Sequence, residues 1–266
     1  MASALLSTAF KAGRFNLARQ AIRPLATAAA SHVSGTRITS LKNGLTIATE
    51  SNPSAQTATV GVFIDAGSRA ENAKNNGAAH FLEHMAFKGT STRGQHDIET
   101  QIENMGAHLN AYTSREQTVY YAKTFKSDIA KSVEVLSDIL QNSTLNNDAI
   151  ERERDVILRE QQEVDKQMEE VVFDHLHATA FQGDALGRTI LGPKENIKSL
   201  TREDLANYIK TNYTADRMVL VGAGGVDHDA LVQLAEQHFN KLPVSANPTG
   251  LGKTYAFPPN FTGSEI

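Results

Sequence analysis

Alternating and helical periodicities cut this chain into short strands and amphipathic helices. Two extended runs within 37–50 are joined by Lys42-Asn43-Gly44, the signature of a hairpin turn. In 57–66, Ala58, Val60, Val62 and Ile64 alternate with Thr59, Gly61, Phe63 and Asp65, the period of a strand with one face more fully buried. Gly67 ends it. A helix is expected over 75–87, with Gly89 as its stop, and another over 95–105, closed by Gly106. Strands are expected over 108–113 and 117–124. An amphipathic helix over 127–141 follows, with Ile129, Val133, Leu136, Ile139 and Leu140 at core spacing. A break at 142–147 precedes a long helical tract from about 148 to 180, and a glycine-containing loop spans 182–193. Thr201 caps a helix over 201–211, 218–223 is an apolar strand, and 227–242 is a last helix. This succession predicts an α+β fold, a mixed or antiparallel sheet backed by helices.

Composition narrows the chemistry. The 266 residues, 40% hydrophobic, suffice for one large domain with tails. There is no cysteine, so disulfides, thiol catalysis and thiolate metal sites are excluded, leaving His, Asp and Glu as strong ligands. No apolar run approaches the ~20 residues of a membrane-spanning helix. Charge is uneven: 1–49 holds Lys11, Arg14, Arg19, Arg23, Arg37 and Lys42 but no acid before Glu50. The stretch 1–30, rich in Ala, Ser, Leu and Arg, has the composition of a mitochondrial transit peptide. Without its four basic groups the formal charge moves from −4 to −8. An acidic body argues against nucleic acid and fits a cationic partner or substrate. Four of the seven prolines fall in 243–266, which reads as a linker or the start of a further segment.

The candidate chemistry lies in His80-Phe81-Leu82-Glu83-His84. On a helix, residues four apart share a face, so both imidazoles can serve one metal. Glu83, three from His80, is placed to reach a water beside that metal. Zinc acidifies such water to a pKa of about 7, and a neighbouring carboxylate can take its proton and later pass it to a leaving amine. The order H-x-x-E-H is the inverted form of the zincin motif. A third ligand is sought in the long helical tract. Projected at roughly 100° per residue from Glu160, Glu153 falls near +20°, Asp174 near −40°, Glu163 near −60° and Glu170 near −80°. This acidic arc borders an apolar stripe of Ile150, Ile157, Val164, Met168 and Val171, whereas Glu151, Asp165 and Glu169 project away as a solvated face. Geometry leaves open which acid of the arc ligates. Other signals are weak: Gly222-Ala223-Gly224-Gly225 reads as a tight strand-to-helix turn, and His175 and His177 as structural.

The segment 80–90, Arg154-Asp155-Val156-Ile157 leading to Arg159-Glu160, Asn110-Ala111-Tyr112-Thr113, Phe173-Asp174-His175-Leu176-His177 and 186–193 together resemble the inverted-zincin, pitrilysin-type metallopeptidases. Within them the likeness is greatest to chains that process mitochondrial presequences, over about 35–242, and to the N-terminal half of those longer chains. The resemblance implies one pitrilysin-like metallopeptidase domain over 35–242, with zinc as cofactor bound by His80, His84 and Glu160. It implies Glu83 as general base and Glu153 as an acid supporting the site. Glu170 and Asp174 would receive an arginine of the substrate, and Asn110 and Ala111 would form an edge strand to which the substrate adds as a further strand. The implied activity is a zinc metalloendopeptidase subunit that removes basic presequences in the mitochondrial matrix, together with an α subunit. The alternatives are a structural core subunit of respiratory complex III, with that complex's subunits as partners, and a general oligopeptidase.

Overall fold

The computed structural model describes residues 35–246 and 258–263. The expected transit peptide over 1–30, and 247–257 and 264–266 of the expected linker, lie outside the described residues. The described part contains six strands: β1 (Arg37–Ser40), β2 (Thr46–Ser51), β3 (Thr57–Ile64), β4 (His108–Thr113), β5 (Thr118–Phe125) and β6 (Met218–Gly224). Its α-helices are α1 (Ala78–Met85), α2 (Gln95–Asn104), α3 (Ile129–Gln141), α4 (Asn147–Val164), α5 (Met168–Ala180), α6 (Lys194–Ser199), α7 (Arg202–Asn212) and α8 (His228–Phe239).

The strands form one mixed sheet in the order β1-β2-β6-β3-β5-β4. β2 and β6 run parallel and every other pair is antiparallel. The expected hairpin is β1–β2, in register from Arg37↔Thr49 to Ser40↔Thr46. β3 shows the anticipated asymmetry, with Val60, Val62 and Ile64 fully buried and Thr59 and Phe63 only partly. These side chains join Leu220 of β6, Val133 and Leu136 of α3, and Leu231, Ala235 and Phe239 of α8 in one core. Each fully buried Leu, Ile or Phe contributes about 1.5–3 kcal/mol, so the sheet and these two helices are held chiefly by apolar burial.

Two departures from the expected elements bear on the site. The tract expected as one helix over 148–180 is two, α4 and α5, separated at 165–167. The last turn of α4 tightens there, Lys166 N–H donating to the Glu163 carbonyl and Gln167 N–H to the Val164 carbonyl. No glycine or proline marks that break. The apolar stripe is therefore buried in α4, through Ile150 and Ile157, but not in α5. None of the α5 residues is buried, and Met168, Val172, Phe173 and Leu176 are exposed. The second departure is α6, a six-residue helix too short for periodicity to reveal.

Candidate metal centre

The two histidines enter from α1, which follows β3 through the loop at 65–77. His80 is buried, and its ring centroid lies 4.8 Å from that of His84, one turn on, at an interplanar angle of 67°. Helix α4 packs against α1 and presents Glu153 and Glu160, seven residues and hence about two turns apart. Asn146 caps α4 by accepting from the amides of Asp148 and Ala149. Arg154 ties the two helices to the next segment. It donates to the carbonyls of Ile197 and Leu200, and its guanidinium carbon sits 5.6 Å from the centroid of the Phe81 ring.

His84 lies between the two acids. Its Nε2 is 3.0 Å from one Glu160 oxygen and its Nδ1 3.4 Å from a Glu153 oxygen. The other Glu160 oxygen is 3.5 Å from His80 Nε2. One ligand atom from each of His80, His84 and Glu160 lies within 4.8 Å of the others, the one group of this kind among the described residues. Two imidazoles and one carboxylate fit the three protein ligands of a catalytic metal site better than the four of a structural one. Glu153 on His84 Nδ1 orients that ring so that Nε2 faces the cluster, the usual outer support of a histidine ligand.

The electrostatics follow from this crowding. Burial alone would lower the His84 pKa, but hydrogen bonds to Glu160 and Glu153 and the charges of Glu160 and Glu83 outweigh it and raise it. The bonds from His80 and His84 hold the Glu160 carboxyl far below the ordinary carboxylate range. Glu83, part-buried on the same helix, is near enough for its charge to act on His84 and on the buried phenols of Tyr120 and Tyr213. Beside His84 and Glu153 opens a cavity of about 470 Å³, lined in part by Phe87, Lys88, Ile98, Ile102 and Leu109.

The expected substrate-binding residues sit on two other elements. β4 pairs with β5 alone and is an edge of the sheet, with Asn110 exposed. The Asn110 Oδ1 accepts from the Ala111 amide at 2.8 Å. Glu170 and Asp174 lie on α5, so the single arc projected through Glu160 does not extend to them. Asp174 already holds a cation: Arg115, on the β4–β5 turn, lies 2.5 Å from its carboxylate.

Two residues escaped sequence reasoning. Lys88 Nζ is 2.6 Å from the second Glu153 oxygen, completing a line from Lys88 through Glu153 to His84. Its partner stands on another helix, so no local spacing marks it. Glu71 caps α1 from six residues before the helix N-cap Gly77: one oxygen accepts from the Ala79 amide at 2.7 Å, the other from the Gly77 amide at 2.9 Å and Asn76 Nδ2 at 2.8 Å. Burial pushes its carboxyl up to about 7, against the opposing pull of those donors and Arg188. No local spacing rule marks an acid capping a helix across a loop.

With this geometry in hand, similarity to other proteins is informative. Residues 46–194 match the family profile described as Insulinase (Peptidase family M16), and 199–266 that of Peptidase M16 inactive domain. The second match includes α7, β6 and α8, which fold into the same sheet and core as the first. The chain is 72% identical over 231 residues to the mitochondrial-processing peptidase subunit beta of Lentinula edodes, covering 86% of this chain and 50% of that protein. It thus spans about half the length of the curated relatives it matches. Its fold is similar to a protease from Helicobacter pylori, with TM-score 0.75 at 24% identity, covering 86% of this chain and 54% of that one. A chain of complex III2 from Candida albicans is also similar, with TM-score 0.70 at 26% identity, covering 87% of this chain and 51% of that one. The match to the first profile takes in both histidines, Glu83, Glu153 and Glu160 and extends over more than half of the sequence, and the chain belongs to the insulinase family, peptidase family M16.

Proposed function

We propose that this chain carries the zinc site, and one wall of the substrate cleft, of a metalloendopeptidase that removes basic presequences from proteins in the mitochondrial matrix, acting with a companion α subunit. The observation that carries this reading is the convergence of His80, His84 and Glu160 from two packed helices, with Glu83 on the same short helix as both imidazoles. The name and 72% identity of the Lentinula relative supply the substrate class.

His80, His84 and Glu160 would hold the ion, which when bound supplies Lewis acidity toward a scissile carbonyl and an attacking water. Glu153 keeps the His84 ring turned by accepting at Nδ1, and Lys88 holds Glu153 in turn. Glu83 takes the proton of the attacking water and returns it to the leaving amine, a role its position beside both imidazoles allows. The β4 edge binds the peptide by main-chain hydrogen bonds, which orients it without demanding one sequence. Asp174 and Glu170 hold an arginine, Asp174 exchanging or sharing its contact with Arg115.

Cleavage of a presequence peptide and of a neutral peptide of equal length, by the chain mixed with an α subunit and zinc, tests the reading. Faster cleavage of the arginine-bearing peptide is expected, and equal rates would instead mark a general oligopeptidase. A core-subunit role in complex III draws on the likeness to the Candida complex, at 26% identity against 72% for the processing-peptidase relative. A scaffold has no physical need of three aligned ligands with a base beside them, and co-purification with cytochromes would reveal that second role.

A further inference from the structure

We infer that Glu71 is a positioning residue for the metal centre: its buried carboxylate anchors the first turn of α1 and thereby sets where His80 and His84 stand relative to Glu160. The inference rests on the metal-site reading and goes beyond it. It starts from a conflict at the helix N-terminus. An N-cap ordinarily offers a Ser, Thr, Asp or Asn side chain to the first free amides. Here the N-cap is Gly77 at φ +105, and a Cβ built there would stand 2.6 Å from the Leu191 carbonyl oxygen. Gly192, at φ +78, meets the same junction from the other side, where a Cβ would lie 2.3 Å from the Asn76 carbonyl oxygen. The two loops touch backbone to backbone, so no side chain fits at the cap.

Glu71 supplies the missing acceptor from a distance. It bonds the Ala79 amide, the residue directly before His80, and the Gly77 amide. Asn76, which holds the second oxygen, also donates to the Thr189 carbonyl at 2.9 Å, and Arg188 donates to the main-chain carbonyl of Glu71. The Glu71 carboxylate thus holds the first turn of α1, while Asn76 and the Glu71 main-chain carbonyl tie the same loop to Thr189 and Arg188. An anion placed at a helix N-terminus is favoured by the helix dipole, and although burying it is costly, its two oxygens serve both amides where a neutral amide side chain offers one. What the charge adds is short, directional bonding to both amides at once. In an eight-residue helix a loosened first turn shifts His80 directly, because His80 is the third helical residue. A displacement on the ångström scale is enough to spoil a ligand cluster whose donor atoms lie within 4.8 Å of one another.

The test compares Glu71→Gln with Asp227→Ala, which removes the side-chain cap of α8 and touches nothing at the site. Both are made in the 266-residue chain and studied with cobalt(II) as the metal probe, at one pH above neutrality and a temperature where each is folded. Glu71→Gln is expected to weaken cobalt binding by about ten-fold, the scale of an outer-support loss, and to alter the visible absorption of the bound ion. It is also expected to speed hydrogen exchange of the Gly77 and Ala79 amides in the metal-free chain. Asp227→Ala should lower the melting temperature and leave cobalt affinity within two-fold. Unchanged affinity and spectrum in Glu71→Gln, or an equal loss in Asp227→Ala, overturns the inference. Should Glu71→Gln fail to fold, Asn76→Ala, which removes one of the two donors to that carboxylate oxygen, is read in its place: weaker cobalt binding supports the inference and wild-type binding overturns it. Absence of cobalt binding by the unaltered chain would instead overturn the metal-site reading itself.

Discussion

At the scale of single residues, His84 is the pivot, because the carboxylates of Glu153 and Glu160 both meet it. Glu160 faces its Nε2, Glu153 its Nδ1, and Lys88 balances Glu153 from behind. On the proposed reading, Glu160 is a ligand and Glu153 a support. Glu153→Gln retains a hydrogen-bonding group but loses the charge that orients the imidazole, so zinc affinity should fall by about 10–100-fold without abolishing binding. Competition with a chelating dye measures this; an affinity equal to that of the unaltered chain would remove Glu153 from the centre. The spacing of His80, Glu83 and His84 was legible because all three lie within two turns of one helix. Glu160 was singled out by resemblance and not by spacing, because it reaches the histidines across 76 residues of chain and through helix packing that no local pattern encodes. Glu153 and Glu160 did share the projected face, since both lie within α4. Glu71 and Lys88 were invisible for a related reason: their partners are set by loops and by a neighbouring helix, not by spacing.

At the scale of elements, the segment between α1 and α2 is pinned by one carboxylate. Asp138 of α3 is buried and accepts from Thr90, Thr92, Arg93 and Asn142 at 2.7–2.8 Å. Burial alone would raise its pKa, but these hydrogen bonds outweigh burial and lower it below the ordinary 3.8. A carboxyl held more acidic when folded stabilises the fold above its unfolded pKa, and that stabilisation is lost as pH falls through the folded value. The melting temperature should therefore drop on acidification below about 3.8, and Asp138→Asn should flatten that part of the profile. The same variant should lose about 1–3 kcal/mol near neutrality, from donors left without their acceptor. Thermal melting of both proteins from neutrality downward checks each part. Helix and strand identities were largely legible, since β3, β4 and α3 carry clean periods of two and 3.6. The α4–α5 break was not, because 164–167 reads Val-Asp-Lys-Gln, with no residue that stops a helix. Met168, the first residue of α5, is exposed after that break.

At the scale of the whole molecule, the strand order brings distant segments to one working edge. β6, from near the end of the described chain, inserts between β2 and β3, a parallel pairing with β2 that no local turn could announce. The sheet then ends at β4, with α5 joined to the β4–β5 turn through Arg115 and Asp174. With a formal charge of −4 and the acids of α5 as the proposed arginine site, an arginine-bearing peptide is expected to bind more weakly as salt rises. Asp174→Asn should raise KM for that peptide by about ten-fold, the worth of one charge-assisted bond, and leave a neutral peptide unaffected. Steady-state kinetics on the two peptides decides this. The central claim is that His80, His84 and Glu160 hold a catalytic zinc that Glu83 serves as base. It is tested most directly by measuring bound zinc and presequence cleavage together, with the companion α subunit present, for the unaltered chain, Glu83→Gln and Glu160→Gln. One zinc and cleavage are expected in the first, and one zinc with cleavage reduced by about 10²–10⁴-fold in the second. In the third both should be lost. Wild-type cleavage by Glu83→Gln, or undiminished zinc in Glu160→Gln, would contradict the claim.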